Sequence, residues 1–349
     1  MTELRVLTVV GARPQFVKAA AMSRAFAAVE GVREILIHTG QHFDPGMSQI
    51  FFEELGLAAP RVNLHIHGGG HAEMTGRMLA ALERIIIREQ PDLVLVPGDT
   101  TSTLAGALAA VKLHVPVAHL EAGLRSYNRR MPEEINRVLT DHISSLLLCP
   151  TSTAVDNLRL EGIVRGVHDI GDVMFDATLF AAAEARRSRV LDRLGIAERP
   201  FAVATVHRAE STEDSETLGE IIAFLGEQSR SCVVVLPIHP RLHQRIEEWN
   251  LDLGSIMTCD PVGYLDMHRL LQSAIAVFTD SGGLQKEAYF HRVPCVTLRN
   301  ETEWVETVEA GWNRLWKGPD YAPRRDIDAF GDGSAATKAV ALIADYLRC

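Results

Sequence analysis

The 349-residue sequence predicts an α/β protein built from two doubly wound domains. Three observations carry this. Short apolar runs rich in β-branched residues recur along the whole chain, and they are apolar continuously rather than alternately, as parallel strands covered by helices on both faces must be. Segments of helical period separate the runs. The length exceeds the roughly 100 to 200 residues that one hydrophobic core usually organises.

In chain order, the first series of strands falls at residues 5–10, 35–39, 93–97, 116–120 and 146–149. Between them, residues 72–84 and 101–112 carry good helix formers with apolar side chains three and four apart. A charged, Ala/Arg/Glu-rich helical stretch over 181–199 follows, and strands resume at 202–206, 233–238, 275–278 and 294–298. The boundary therefore lies between Gly171 and Pro200, giving domains 1–172 and 173–334, with an Ala-rich terminal helix in 335–349 free to pack on the first. Ligands of open parallel sheets sit beyond the C-terminal strand ends, so a cleft between the domains is the expected site, with a hinge near residues 171–175.

Composition narrows the function. Hydrophobic residues at 47% and charged residues at 23% are ordinary for a soluble globular chain. No apolar run approaches the about 18 to 20 residues of a membrane span, so no membrane insertion is expected. The net charge of −10, without a basic stripe, disfavours nucleic acid. Any anionic ligand must then be held by a few placed cations and backbone amides. Cys149, Cys232, Cys259, Cys295 and Cys349 are odd in number and widely spaced, which reads as free or buried thiols in a reducing compartment. With no CxxC or HExxH pattern, no metal is expected, and an N-terminus that reads as a strand entering a turn leaves the cytoplasm as the expected location.

Four motifs are candidates for chemistry. Gly11-Ala-Arg13-Pro-Gln-Phe-Val-Lys18 leaves the first strand and enters a helix, whose N-terminal amides with Arg13 and Lys18 suit a diphosphate; the plain alternative is a βα turn with solvated cations. A GxGxxG fingerprint is absent, which disfavours NAD, and no organic cofactor is expected. Two strand ends place Asp99 and Glu121 at the C-terminal edge of the sheet, where carboxylates can exchange protons with a substrate. Asp99 also reads as a helix N-cap before Thr-Thr-Ser, whereas Glu121 has no capping role. In Arg129-Arg-Met-Pro-Glu133-Glu134-Ile-Asn-Arg137 a helix starts, with Glu133 and Arg137 on one face at i, i+4 as an ion pair or as part of a site. His207 ends a strand of the second series and reads as a structural hydrogen-bonding residue or a catalyst. Finally, Phe278-Thr-Asp280-Ser281-Gly282-Gly283-Leu-Gln-Lys-Glu287 runs from strand through a glycine turn into a helix, a phosphate cradle with Glu287 one turn further in for sugar hydroxyls.

Taken together these segments resemble the non-hydrolysing UDP-N-acetylglucosamine 2-epimerases. The resemblance runs from about Val6 to Leu315 through GARPQFVK (11–18), TGQHFD (39–44), PGDTTSTLAGA (97–107), HLEAGLRS (119–126), MPEEINRVLTDH (131–142), TVHRAE (205–210), PIHPR (237–241), DPVGY (260–264) and TDSGGLQKEA (279–288). It implies two Rossmann-like domains facing a central cleft, the GT-B architecture shared with nucleotide-sugar glycosyltransferases. It also implies catalytic roles for Asp99, Glu121, Glu133 and His207, with Arg137 supporting Glu133. Substrate binding would fall to Arg13 and Lys18 at the phosphates, Ser281, Gly282 and Gly283 at the diphosphate and Glu287 at the ribose. The implied reaction is anti-elimination of UDP to a 2-acetamidoglucal and re-addition with C2 inverted, converting UDP-GlcNAc to UDP-ManNAc in a homodimer joined through the N-terminal domain.

Departures from the family pattern matter too. Much of the family has arginine where this chain has Trp304 in Thr302-Glu303-Trp304, so a cationic contact is lost or replaced. The loop Gln41-His42-Phe43-Asp44 lacks the second glutamine associated with an activating UDP-GlcNAc. The GARPQF and ETEWVE wording is most similar to the subgroup acting on UDP-2,3-diacetamido-2,3-dideoxyglucuronic acid in bacterial surface-polysaccharide synthesis, an alternative substrate. A glycosyltransferase of the same architecture, a hydrolysing relative and an inactive UDP-sugar sensor are the competing readings.

Overall fold

The structure, a computed structural model, describes residues 3–42, 52 and 54–348. The chain divides into two units, Met1–Ala177 with Asp328–Cys349, and Thr178–Ile327.

The first unit carries a parallel sheet in the order β3-β2-β1-β4-β5-β6-β7 among the described residues. Its strands are β1 (Leu4–Val10), β2 (Val32–His38), β3 (Val62–Asn63), β4 (Leu93–Pro97), β5 (Val117–Leu120), β6 (Leu146–Cys149) and β7 (Val167–Asp169). Helices α1 (Arg13–Ala27), α2 (His71–Glu89), α3 (Thr101–Lys112), α4 (Pro132–Ile143), α5 (Ser152–Leu160) and α6 (Val173–Glu184) connect and cover them, the unit boundary falling inside α6. On one face Leu7, Val9, Val94 and Val96 pack with Met78, Leu82 and Ile85 of α2 and Ala105 and Ala109 of α3. The α3 sequence is Ala- and Gly-rich because that helix lies close to the sheet: a Cβ on Gly106 would stand 3.1 Å from Val96 and 3.2 Å from Val9.

The second unit repeats the plan with β8 (Phe201–Thr205), β9 (Val233–Pro237), β10 (Met257–Cys259), β11 (Ala276–Thr279), β12 (Cys295–Thr297) and β13 (Asn313–Leu315), in the order β10-β9-β8-β11-β12-β13. Its longer helices are α7 (Ser215–Gln228), α8 (Pro240–Glu248), α9 (Tyr264–Ser273) and α10 (Gly282–Phe290). Strand residues alternate between two cores, which is why the runs are continuously apolar. Ala202, Ala204, Leu236 and Phe278 face Leu218, Ile222 and Leu225 of α7. Phe201, Val203, Val235 and Val277 face Leu270 and Leu271 of α9 and Leu284 and Ala288 of α10.

The last helix, α11 (Ala335–Arg348), belongs to the first unit and packs on α1. Asp176 accepts from the backbone amides of Ala335 and Ala336, at 3.2 and 2.9 Å, and so caps its first turn. No helix among the described residues is long and apolar enough to cross a membrane.

The strands read from the sequence occur within a few residues of their expected bounds, but β3, β7, β10 and β13 were not legible. These four are the outermost strands of the two sheets, two or three residues long and mostly half-exposed. An edge strand owes its conformation to the ladder beside it rather than to its own hydrophobicity. The stretch 181–199 is not one helix: α6 ends at Glu184, a single 3-10 turn covers Ala185–Arg187, and a short helix follows at Val190–Arg193.

Candidate functional site

In the first unit the C-terminal ends of β1, β4 and β5 lie along one sheet edge, because the strands are parallel and adjacent. Ala12 precedes α1 and has no side-chain oxygen to cap it. Gln15, buried three residues on, does this instead: its Oε1 accepts from Gly11 and Ala12 at 2.8 and 3.0 Å, and its Nε2 donates to the Pro97 carbonyl at 2.8 Å. That bond ties the turn carrying Arg13 to the end of β4. One turn further along α1, Lys18 pairs with Glu121 at the end of β5, both side chains nearly buried. Gly98 lies beside the pair with φ +67°, a backbone state that favours glycine. Glu121 itself has φ +73°, an uncommon backbone state for a residue with a side chain.

Asp99 does not cap α3. Thr100 is the N-cap, accepting from the Thr103 amide, and the Asp99 carboxylate turns instead to Arg137 of α4, whose Nη2 and Nε donate to it at 2.5 and 3.1 Å. The capping reading failed because Thr100 takes that position, leaving Asp99 one residue outside it. Arg137 also corrects the expected pair with Glu133. Its Nη1 donates to Glu134 at 3.0 Å, the i, i+3 neighbour, while Glu133 remains part-exposed. Glu134 is buried and further accepts from the amides of Ser126 and Tyr127, both at 2.9 Å, holding the loop after β5 against α4. The structure thus brings Lys18 to Glu121 and Arg137 to Asp99, with Gly98 between the pairs.

Beneath this edge lies a fully buried set that the motifs contained but no role was read for. His119 Nδ1 meets Asp141 Oδ1 at 2.6 Å and its Nε2 meets the Gly98 carbonyl at 2.7 Å. Each ring nitrogen thus faces an oxygen, which fixes the orientation of the imidazole. Asp141 also accepts from Arg125 Nη1 at 2.7 Å and from the Gly123 amide at 3.1 Å. Burial pushes the Asp141 carboxyl up, but His119 and Arg125 outweigh it and hold it below the usual range. This clamp joins the loop bearing Asp99 to the loop bearing Glu121.

In the second unit, β8 and β11 are neighbours and their ends bring His207 and Asp280 together, His207 Nδ1 standing 3.0 Å from Asp280 Oδ1. Half of the His207 side chain is exposed, whereas Asp280 is buried and accepts from the amides of His207 and Arg208, each at 2.9 Å. Burial raises the Asp280 carboxyl, yet His207 and these amides bring it to about 2. Asp280 was part of the glycine-turn motif, but no role was read for it although it stands immediately before Ser281. Ser281 caps α10 by accepting from the Leu284 amide, which leaves the Gly282 and Gly283 amides at the open end of the helix. Glu287 is buried one turn on, its Oε1 3.7 Å from His268 Nε2. Trp304 is buried against Lys286, whose ammonium lies 3.6 Å from the ring centroid. Phe43 and Asp44 of the TGQHFD segment lie outside the described residues.

The family described as UDP-N-acetylglucosamine 2-epimerase matches over residues 24–344. The UDP-2,3-diacetamido-2,3-dideoxy-D-glucuronate 2-epimerase of Pseudomonas aeruginosa is 53% identical over 317 residues, 89% of this chain and 88% of the relative. A UDP-N-acetylglucosamine 2-epimerase of Methanocaldococcus jannaschii is 42% identical over 323 residues, covering 89% of this chain and 88% of the relative. The crystal structure of the enzyme from that organism, in complex with UDP-GlcNAc and UDP, has a TM-score of 0.89 at 39% identity over 98% of this chain and 99% of its own. With the match spanning almost the whole sequence, the protein belongs to the UDP-N-acetylglucosamine 2-epimerase family and is an isomerase of that family.

Proposed function

We propose that the chain inverts C2 of a UDP-2-acetamido sugar without hydrolysing it, UDP-GlcNAc to UDP-ManNAc being the simplest instance. The observation that carries this is the pair of carboxylates at the strand ends, Glu121 against Lys18 and Asp99 against Arg137. The C2 hydrogen of such a sugar has no neighbouring carbonyl carbon to stabilise a carbanion, so its removal must accompany loss of UDP from C1. The C2–H pair becomes the C1–C2 double bond, the proton passes to a carboxylate, and the C1–O pair leaves with the β-phosphate. Re-addition of UDP with a proton delivered to the opposite face completes the inversion. One face therefore needs a base and the other an acid, roles for which Asp99, Glu121, Glu133 and His207 are the candidates. The amides of Gly282 and Gly283, Ser281, Arg13 and Lys18 are assigned to the diphosphate, Glu287 to the ribose, and Arg137 to orienting the carboxylates.

We assign the two units to a GT-B arrangement, working as a cytoplasmic homodimer through the first unit. The exposed Ile87 of α2 and Ile135 and Leu139 of α4 supply apolar surface for the latter. The uronic acid is the alternative substrate, supported by the 53% identity to the Pseudomonas aeruginosa relative. Proton NMR in D2O with both nucleotide sugars tests the reading. Deuterium entering C2 together with inversion is expected; exchange with neither sugar refutes it, acceptor-dependent UDP release without exchange points to a glycosyltransferase, and steady UDP liberation to a hydrolase.

A further inference from the structure

We infer that Arg299 reads a carboxylate on the sugar: the Nε and Nη2 edge of its guanidinium is placed to take the C6 carboxylate of a uronic acid substrate in a two-point ion pair. The inference rests on the UDP-sugar reading of this site and names its substrate class.

Arg299 follows β12 and is 5% exposed. A buried guanidinium is costly unless its donors are met. One donor is met, Nη1 lying 3.0 Å from Glu303 Oε2. Nε and Nη2, both buried, have no hydrogen-bond partner among the described residues. These two carry the parallel N–H bonds of the fork, the edge that matches two oxygens of a planar carboxylate. Elsewhere in this chain the same edge is used in that way: Arg125 Nε and Nη2 hold the two oxygens of Glu161 at 2.6 and 2.8 Å. What Arg299 lacks is therefore a two-oxygen anion.

Its location says where such an anion belongs. Glu303, which holds Nη1, lies directly against Gly282, where any Cβ would collide with its carboxylate. Arg208 Nη2 stands 3.8 Å from the other oxygen of Glu303. Two arginines thus surround one carboxylate beside the open end of α10, a nine-residue helix, and together leave one positive charge for an incoming anion. Lys286 is committed to the Trp304 ring and is not that charge. Because Glu303 contacts Arg299 through one oxygen and lies against Gly282 with the other, the group bound at Arg299 is a second anionic centre, distinct from a diphosphate seated on the helix.

The test compares the wild-type chain, Arg299→Gln and Arg299→Lys on UDP-2,3-diacetamido-2,3-dideoxyglucuronic acid and on its C6-alcohol counterpart, with UDP affinity measured by calorimetry. The ratio of kcat/KM for the acid over the alcohol is expected to fall about a hundredfold in Arg299→Gln, the size seen when a buried charge partner is truncated. Arg299→Lys, which keeps the charge but not the fork, is expected to lose about tenfold. An unchanged ratio in both variants overturns the assignment, and so does a wild-type enzyme that turns over acid and alcohol equally, a comparison that needs no variant to fold. A matching fall in UDP affinity without a change in the ratio places the diphosphate, not a carboxylate, at Arg299. Absence of C2 exchange with every UDP-sugar in the wild type instead refutes the reading of the site itself.

Discussion

Asp99 and Glu121 sit on adjacent strand ends, yet each meets a cation from a different helix, Arg137 from α4 and Lys18 from α1. Replacing either acid by its amide removes proton exchange while preserving shape. Glu121→Gln and Asp99→Asn are expected to slow deuterium entry at C2 by about 100-fold or more, the usual share of a general acid or base. Circular dichroism should show both variants folded, and exchange at the wild-type rate would remove them from the mechanism. A second prediction concerns pH. His38 is buried against Phe16, and burial, aided by His65 and His42, lowers it to about 4. The folded state therefore keeps this ring neutral while the unfolded chain takes up a proton below about 6.5. Stability from this site is complete above that value and falls as pH drops from about 6.5 to 4, by at most about 3 kcal/mol. Urea titrations at pH 7.5 and 4.5 should show the difference, and His38→Gln should reduce it.

At the scale of elements, the interior strands were legible because each is buried on both faces, and the edge strands were not because β3, β7, β10 and β13 are short and set by their neighbours. The site elements were legible as segments but not as pairings. Arg137 was expected to meet Glu133 on helical spacing, whereas α4 lies so that Glu134 and Asp99 are within reach. The buried clamp of His119, Asp141 and Arg125 was invisible as a unit, since its members are up to 22 positions apart in the sequence. Asp141→Asn is expected to cost about 3 to 5 kcal/mol in denaturant unfolding, because it leaves the buried Arg125 without its anion and His119 without its carboxylate partner. A loss below about 1 kcal/mol would show that the clamp is dispensable. Gly123 supplies a second check: its φ is +81° and a Cβ would strike the Ala154 carbonyl, so Gly123→Ala should destabilise by more than about 1 kcal/mol. An unchanged urea midpoint would contradict that conformation.

For the whole molecule, the return of α11 to the first unit makes the chain end part of the first core. Ala339, Val340, Ile343 and Ala344 are all buried in that helix. Removing residues 335–349 should expose the α1 surface and give insoluble or less cooperatively unfolding protein, as judged by solubility and thermal melts. Wild-type melting behaviour after truncation would show α11 to be an accessory. Equilibrium sedimentation checks the proposed homodimer: a mass of twice the 38.4 kDa chain is expected, reduced toward one chain by Ile135→Glu with Leu139→Glu.

The sequence by itself determined the α/β class, the interior strands and the family, because hydrophobic period and contiguous motifs are properties of neighbouring residues. Only the tertiary structure decided which cation each carboxylate takes, which short segments complete the sheets, and that Arg299 lies buried with an edge of its guanidinium unmet. Those outcomes depend on distances between residues far apart in the chain, and a charge a few ångströms nearer or farther selects a different partner.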